Sequence, residues 1–437
     1  MKSSIKIGII GFGTVGTGTL KILTGQKELI RRRLGCSIDV VRIADLDVKR
    51  SRGTSLPKGI LTTDPMKVIE DPEIDVVVEL IGGYEPARHY LLQAIHRGKH
   101  VVTANKALLA AHGEELFRAA VKQGVDIGFE GSVGGGIPII RAMKEGLAAD
   151  KVTAIYGIVN GTCNYILTQM TEEGESFSNV LAEAQRLGYA EADPTLDIGG
   201  ADSAHKLAIL TSLAFGTPVS LKEIYTEGVD KVTPLDIAFA QEFGYTIKLL
   251  AIAKMADGEI EARVHPTMVP KEYLLSRVGG VHNAIYVIGE SLGEALFYGR
   301  GAGSLPTGSA VVGDLIDISR NILKGISGRV PPASFLPEAR PSLRIKSVEE
   351  IKSLYYLRFM AQDHPGVLSK VSGVLGRHRI SISSVIQHGR KAGGNVPLVM
   401  MTHQARERDV RDALSKIDRM ECVSEPTVLI RVEGKDE

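Results

Sequence analysis

The sequence has few cysteines, no tryptophan and no excess of charge of either sign. Its three cysteines, at 36, 163 and 422, form neither a disulfide framework nor a zinc signature, so we expect a reducing compartment. Because 52 Lys+Arg oppose 51 Asp+Glu, a nucleic-acid binder held mainly by a basic surface is disfavoured. No run reaches 18 apolar residues, and no signal peptide precedes the first strand-like segment, so we expect no membrane span and a cytoplasmic protein.

Glycine, by contrast, is abundant, with 48 among 437 residues against an average near 7%. Glycine enrichment without a repeat suggests many tight turns and places where backbone approaches a ligand. The hydrophobic content of 44% and charged content of 24% are those of a globular protein. At roughly 150 residues per domain, the length predicts about three domains.

The first 150 residues alternate short apolar runs with helical patterns. This β-α-β-α order predicts a parallel, doubly wound α/β sheet. A TIM barrel would also alternate, but a phosphate-binding signal follows the first strand, where a Rossmann fold has it. The predicted strands span 5–10, 40–44, 75–80, 100–103 and 125–130, with helices at 14–23, 87–97 and 114–122.

Two further regions follow. Residues 132–330 predict a mixed α+β domain, with a glycine-rich turn at 132–136, a helix ending near Gly146 and a helix at 309–323 that returns to the first domain. Its other predicted elements are strands at 152–159, 260–268 and 284–289 and helices at 182–187 and 202–215. Four prolines within 327–342 predict a linker.

The last hundred residues have a clear pattern of their own. Strands are predicted at 354–361, 380–388, 396–403 and 427–432, with helices at 366–378 and 407–417. The resulting β-α-β-β-α-β order is that of a ferredoxin-like module.

The segment 11–16 reads GFGTVG, which is G-x-G-x-x-G. It follows a strand and begins a helix, as a dinucleotide fingerprint requires. Gly11 would make the tight turn, Gly13 would let backbone approach a pyrophosphate, and Gly16 would allow close helix–strand packing. The alternative, a glycine-rich turn without a ligand, is disfavoured by this context.

The choice between NAD and NADP stays open. Asp45, at the end of the second strand, is typical of the acid that holds the ribose 2′-hydroxyl of NAD. Lys49, Arg50 and Arg52 follow closely and could meet a 2′-phosphate. The alternative is that these three form a solvated helix face.

Acids and a lysine cluster within 189–206. Asp202 and Lys206 are four residues apart, so they share one face of the predicted helix. A lysine beside a carboxylate in a cleft can give a proton to a carbonyl oxygen as hydride arrives at carbon. A surface ion pair is the alternative. Lys106 follows the strand at 100–103, where ligands of α/β sheets bind, unless it is a solvent-exposed lysine at a helix start.

Taken together, these motifs resemble the homoserine dehydrogenase family. They are GFGTVG at 11–16, TANK at 103–106, SVGGGIP at 132–138, NGTCNYIL at 160–167, YAEADPTLDIGGADSAHKLAIL at 189–210 and GRGAGSLPTGSAVVGD at 299–314. The resemblance implies reduction of L-aspartate 4-semialdehyde to L-homoserine with NAD(P)H, in threonine and methionine biosynthesis. Because a strand begins near Met1, we expect the form without a fused kinase.

The resemblance also implies residue roles. Lys206 would donate the proton with Asp202 as its partner, and Lys106 would contact cofactor and substrate. The substrate-binding residues would be Glu191, which takes the amino group, Asp197, Tyr189, Gly161 and Thr162. The cofactor-binding residues would be Gly11, Phe12, Gly13, Thr14, Val15, Gly16, Asp45, Thr103, Lys106 and Gly303. The resemblance further implies a monovalent cation, such as sodium, held largely by main-chain carbonyls at Glu130, Val133, Gly135 and Ile137.

The C-terminal module resembles an ACT domain. DHPGVL at 363–368 matches the turn where such domains often bind amino acids, and the segments at 380–382 and 385–387 fit the second strand. We therefore expect feedback control by a pathway amino acid, with threonine the first candidate; a purely structural dimerisation module is the alternative. The expected assembly is a homodimer or homotetramer. The predicted boundaries are 1–131 for the NAD(P)-binding domain, 132–308 for the substrate and dimerisation domain, 309–326 for the returning helix, 327–350 for the linker and 351–437 for the ACT domain.

Two other functions compete with this assignment. A dehydrogenase acting on a 2-hydroxy acid would need a His–acid pair, and His89, His96, His100 and His112 have no clear partner in the sequence. An amino-acid-binding regulator with a nucleotide-sensing Rossmann domain would lack catalytic residues, whereas Lys106, Glu191, Asp202 and Lys206 are all present.

Overall fold

The computed structural model describes residues 2–50, 52–53, 56–389 and 394–434. The chain divides into two compact units. The first unit comprises Met1–Gly161, Asp202–Ile224 and Val281–Leu343, and the second comprises Thr162–Ala201, Tyr225–Gly280 and Arg344–Glu437.

Strands and α-helices are numbered along the chain. The strands are β1 Ser4–Ile10, β2 Ser37–Ala44, β3 Leu61–Thr62, β4 Val76–Glu79, β5 His100–Thr103, β6 Ile127–Gly128, β7 Val152–Ile158, β8 Tyr225–Thr226, β9 Tyr245–Ala256, β10 Glu259–Pro270, β11 His282–Gly289, β12 Gly293–Arg300, β13 Lys352–Gln362, β14 Ile382–Gln387, β15 Asn395–Thr402, β16 Ala405–Arg406 and β17 Val428–Val432. The helices are α1 Thr14–Gly25, α2 Lys27–Leu34, α3 Met66–Ile69, α4 Ala87–His96, α5 Lys106–Gln123, α6 Ile139–Arg141, α7 Gly161–Glu173, α8 Phe177–Arg186, α9 Thr195–Ile198, α10 Ala201–Phe215, α11 Pro234–Glu242, α12 Ser304–Lys324, α13 Val367–Arg377 and α14 Glu407–Ile417.

The first unit contains a six-stranded parallel sheet in the order β3-β2-β1-β4-β5-β6. This confirms the doubly wound Rossmann-type fold. The strand order reverses between β1 and β4, and this switch point is where such sheets bind ligands. The late helix α12 contributes Val311 and Leu315 to the hydrophobic cluster that contains Ile5, Ile7 and Phe12.

Two predicted elements of the first unit differ from the structure. The strand expected over 125–130 is only Ile127–Gly128, because Glu130 begins a 3₁₀ turn and its amide donates to Asp314 Oδ2 (2.8 Å). The helix expected to end near Gly146 is three residues of α6 followed by a π-helical turn, Ala142–Gly146. A three-stranded antiparallel group in the order β12-β11-β7 completes the unit.

The second unit contains a long antiparallel hairpin, β9 with β10, to which the C-terminal module adds its strands. Within that module the strand order is β17-β13-β15-β14, with α13 and α14 packed on a core that includes Tyr355, Leu357 and Phe359. The β-α-β-β-α-β order confirms the ferredoxin-like prediction. Strand β17 also pairs in parallel with β10, so the module continues a larger sheet.

Residues 327–342 contain one short 3₁₀ turn, Pro337–Ala339. This strap, residues 327–342, is bound within the first unit: Arg340 Nε donates to Gly216 O (3.0 Å) and Thr217 Oγ1 donates to Pro341 O (3.0 Å). In the described part of the chain, no helix combines the length and apolar character needed to cross a bilayer.

Candidate active site

The fingerprint turn between β1 and α1 is shaped by its glycines. Gly11 has φ 99°, and a β-carbon there would lie 2.6 Å from the carbonyl carbon of Leu80. A β-carbon on Gly16 would lie 2.3 Å from Gly11 O, whereas one on Gly13 would meet nothing within 4 Å. The backbone at Gly13, the N-cap of α1, is therefore open to a ligand. The helix N-terminus offers amide donors and partial positive charge to a phosphate there.

Asp45, at the end of β2, has protein donors on both carboxylate oxygens. Phe12 N donates to Oδ2 (2.6 Å), while Asp47 N (2.8 Å) and Arg52 Nη2 (3.0 Å) donate to Oδ1. The Arg52 side chain is 8% exposed and its guanidinium lies 4.9 Å from the centre of the Phe12 ring. The described residues among 49–52 form bends and coil, so the solvated helix face considered from the sequence is wrong for Arg52.

Three side chains surround the buried carboxylate of Asp202. Lys206 Nζ lies 2.7 Å from Oδ2, Lys106 Nζ lies 2.9 Å from Oδ1, and Asn160 Nδ2 donates to Oδ2 (2.9 Å). Burial by itself would raise the pKa of Asp202, but the two ammonium groups outweigh it and hold that pKa well below its usual range. The carboxylate is therefore ionised at neutral pH.

The two lysines of this cluster belong to the first two turns of two helices. Asn105 Oδ1 accepts from Leu108 N (3.1 Å) and caps α5, which begins at Lys106. Lys206 lies one turn into α10, and its ammonium also donates to Val159 O (2.6 Å). The i, i+4 pair predicted from the sequence is thus formed, and it is buried rather than on the surface.

Several substrate-binding candidates lie in the second unit. Thr162 Oγ1 donates to Tyr189 O (2.7 Å) and lies 3.3 Å from Asp197 Oδ2, so these three residues are together. The Tyr189 ring contacts that of Tyr165, with centroids 4.9 Å apart. Glu191 is exposed, and its main-chain carbonyl accepts from Gln185 Nε2 (3.1 Å). Gly161 belongs to the first unit, where a β-carbon would lie 2.9 Å from Val281 O.

The loop proposed for a cation runs from Glu130 to Ile137. Both carboxylate oxygens of Glu130 accept backbone amides, from Ile140 and Arg141 (2.8 Å each). Gly134 and Gly135 have φ values of 69° and 52°, and Val133 and Ile137 are buried. Among the described residues, no group of three or more His, Cys, Asp or Glu side chains is arranged to hold a metal.

Gly303 precedes α12 with φ 121°, and Ser304 Oγ donates to Thr14 O (2.8 Å). The starts of α12 and α1 are thus joined beside the fingerprint turn. Thr103, at the end of β5, donates from its hydroxyl to Glu79 Oε2 (2.7 Å). Sequence reasoning missed Glu79 and Asn160, although Asn160 opens the NGTCNYIL motif and Glu79 lies within the strand predicted at 75–80.

A glycine fingerprint at the switch point of a parallel sheet, with a buried lysine–carboxylate cluster in the same unit, defines a nucleotide-dependent oxidoreductase of the Rossmann class. Family models give the particular family. "Homoserine dehydrogenase, NAD binding domain" matches residues 11–130, "Homoserine dehydrogenase" matches 138–316 and "ACT domain" matches 355–422. The chain belongs to the homoserine dehydrogenase family.

Relatives that match over nearly the whole chain belong to the same family. A homoserine dehydrogenase of Pseudomonas aeruginosa is 47% identical, over 98% of this chain and 99% of its own. The crystal structure of one from Thiobacillus denitrificans is 47% identical with a TM-score of 0.93, covering 98% of each chain. A hyperthermophilic archaeal homoserine dehydrogenase in complex with NADPH is 28% identical with a TM-score of 0.63, over 75% of this chain. These findings confirm the enzyme class, the NAD(P)-binding domain and the ACT domain predicted from the sequence.

Proposed function

We propose that this homoserine dehydrogenase reduces L-aspartate 4-semialdehyde to L-homoserine through the cluster of Lys106, Asp202 and Lys206. The observation that carries the proposal is the buried Asp202 carboxylate lying within 2.9 Å of both ammonium groups. Bound NAD(P)H supplies the hydride. Initial rates with the semialdehyde and each reduced nucleotide test the activity.

Lys206 is the proton donor to the aldehyde oxygen. An ammonium has three N–H donors, and two of them go to Asp202 Oδ2 and Val159 O. The third remains to bond the carbonyl oxygen and to transfer its proton as negative charge develops there. Lys106 then serves as the second cation of the site, held by the other Asp202 oxygen.

The substrate-binding roles follow the family motifs. Glu191 takes the substrate amino group, and Asp197, Tyr189, Gly161 and Thr162 complete the binding residues. The contact of Thr162 with both Tyr189 and Asp197 supports a shared role for these three. The sodium ion is held by carbonyls of Glu130, Val133, Gly135 and Ile137, and replacing sodium with choline in the assay tests it.

For the cofactor, we propose a preference for NADP(H). The cofactor-binding set is the fingerprint residues 11–16 with Asp45, Thr103, Lys106 and Gly303, joined by Arg52. Because protein donors already bond both Asp45 oxygens, a ribose 2′-hydroxyl meets strong competition there. Three of the five N–H donors of Arg52 go to Phe12 O, Arg50 O and Asp45 Oδ1, and the other two suit a 2′-phosphate.

Replacing Arg52 tests this preference. In Arg52→Gln the KM for NADPH should rise about tenfold or more, because the cation for the 2′-phosphate is lost. The KM for NADH should stay level or fall, since Arg52 no longer competes with the ribose 2′-hydroxyl for Asp45. Equal changes for the two nucleotides would contradict the proposed role of Arg52.

The remaining proposals concern regulation and assembly. The ACT domain binds a pathway amino acid at the turn 363–368, and threonine is the first candidate. The enzyme is a homodimer or homotetramer and is located in the cytoplasm. Gly366, with φ 92° at the start of α13, would have nothing within 4 Å of a β-carbon, so its backbone is open to a ligand. Threonine inhibition of the full chain and its mass in solution test these two proposals.

A further inference from the structure

Glu79 is a buried carboxylate at the switch point of the parallel sheet. It ends β4, is fully buried, and lies in register with Ile10 of β1 and Thr103 of β5. The carboxyl ends of these three central strands form the edge where α/β sheets bind their ligands. None of the roles proposed above uses this residue.

The hydrogen bonds that the Glu79 carboxylate accepts come from neutral donors. Ile81 N (2.8 Å) and Gly82 N (3.1 Å) donate to Oε1, and Thr103 Oγ1 (2.7 Å) donates to Oε2. Burial raises the pKa of Glu79, which the hydrogen bonds oppose. The carboxylate thus joins the turn after β4 to the end of β5.

From Thr103 the connection continues to helix α5. Thr103 Oγ1 accepts from Asn105 N (3.0 Å) and donates its hydroxyl proton to Glu79 Oε2 (2.7 Å). Asn105 caps α5 through its Oδ1 and donates from Nδ2 to Gly83 O (2.6 Å). The next residue is Lys106, which pairs with Asp202.

We infer that Glu79 is a positioning residue for the reduction: through Thr103 and Asn105 it fixes the start of α5 and therefore the Lys106 ammonium. The inference rests on the proposed role of Lys106. An ionised carboxylate has only acceptors, so it satisfies all three donors at once. Misplacing a charged group of an active site by about 1 Å can reduce turnover about a hundredfold.

A glutamine at position 79 distinguishes this positioning role from a role in packing alone. Glu79→Gln keeps the volume and one oxygen for the Ile81 and Gly82 amides. Its NH₂ group then faces Thr103 Oγ1, so the Thr103 hydroxyl can no longer donate to residue 79 and the charge-assisted link to β5 is lost. Thr103→Val breaks the same link from the other side and serves if Glu79→Gln folds poorly; because Thr103 also belongs to the proposed cofactor-binding set, its kcat is measured at saturating nucleotide.

Asp71 precedes the start of β4, the end opposite Glu79, and provides a matched control. Its carboxylate accepts a backbone amide, from Glu73 (3.0 Å), and a side-chain donor, from Arg42 (3.2 Å). Asp71→Asn therefore removes a comparable charged acceptor far from the carboxyl edge of the strands. It should lower the melting temperature and leave kcat unchanged.

The experiment measures kcat, the semialdehyde KM and the melting temperature for the full chain. We expect kcat to fall about tenfold or more in Glu79→Gln and in Thr103→Val, and the double variant to be no slower than the slower single variant. A kcat within about twofold of the unmodified enzyme in Glu79→Gln, or losses that multiply in the double variant, would overturn the inference. An inactive unmodified enzyme would instead refute the proposed function.

Discussion

Asp202 determines what the neighbouring lysines can do. Its two oxygens bind Lys106 at the start of α5 and Lys206 one turn into α10, so one buried carboxylate pairs with two ammonium groups and the cluster of three side chains keeps a net positive charge. The sequence indicates the Asp202–Lys206 pair, since spacing of four residues on a helix is a local property. Asn160 could not be predicted in this way, because its contact with Asp202 joins residues 42 positions apart.

Lys248 is a buried lysine outside this cluster, and its titration should be visible in stability. Its ammonium donates to Val278 O (2.7 Å), and burial lowers its pKa to about 8. Between that value and the unfolded value near 10.4, the unfolded state binds more protons, so stability rises with pH.

We therefore expect the unmodified chain to gain about 3 kcal/mol relative to Lys248→Met as the pH rises from about 8 to about 10.5. Urea unfolding of both chains at several pH values measures the difference. A difference that is constant across this range, or that shrinks with rising pH, would contradict the depressed pKa.

At the scale of elements, helices α1 and α12 pack through glycines. A β-carbon on Gly308 would lie 2.7 Å from Thr19 N, and one on Gly18 would lie 2.0 Å from Ser304 O. Backbone atoms of the facing helix fill these positions. A side chain on Gly18 or Gly308 would therefore push the two helices apart. This contact fixes the start of α12, and with it Gly303, against the helix of the fingerprint turn.

Gly308→Ala should cost about 1–3 kcal/mol and weaken nucleotide binding. Gly313→Ala is the matched control in the same helix, since a β-carbon there meets nothing within 4 Å, and it should stabilise by about 1 kcal/mol. Calorimetry and nucleotide titration measure both effects. Equal stability and equal nucleotide affinity of the two variants would mean that the close approach of α1 and α12 affects neither property.

Elements with a regular pattern were predictable, and those set by tertiary contacts were not. The strand at 5–10 and the helix at 407–417 follow from apolar periodicity and are present. The strand β9 was not predicted, because LLAIA at 249–253 is a continuous apolar run that suits a strand or a buried helix equally. Likewise, β6 ends early because Asp314, distant in sequence, binds Glu130 N.

At the scale of the whole molecule, the C-terminal module is built into the second unit. Asp236, buried in α11, accepts from Arg358 Nε (2.6 Å) and Tyr356 Oη (3.0 Å) of β13, and β17 continues the sheet from β10. A regulatory tail that could be removed without consequence would lack such contacts. The β-α-β-β-α-β order is evident in the sequence, but this integration depends on pairs more than a hundred residues apart.

Removal of residues 344–437 should therefore destabilise the remaining chain. Asp236 would lose its bonds to Arg358 and Tyr356 and keep those to Thr233, and the apolar residues and β10 edge that the module covers would be exposed to water. Light scattering and the melting temperature of the truncated chain test this expectation. A truncated chain that stays monodisperse with an unchanged melting temperature would show the module to be independent.

The central claim is that Lys206, held by Asp202, protonates the aldehyde as hydride is transferred. The most direct test is the initial rate of NAD(P)H oxidation by L-aspartate 4-semialdehyde for the unmodified chain and Lys206→Met, with Lys248→Met as the buried-lysine control. We predict turnover by the unmodified and control chains and a loss of about a hundredfold or more in Lys206→Met, with its fold preserved. Undiminished kcat in Lys206→Met would contradict the account.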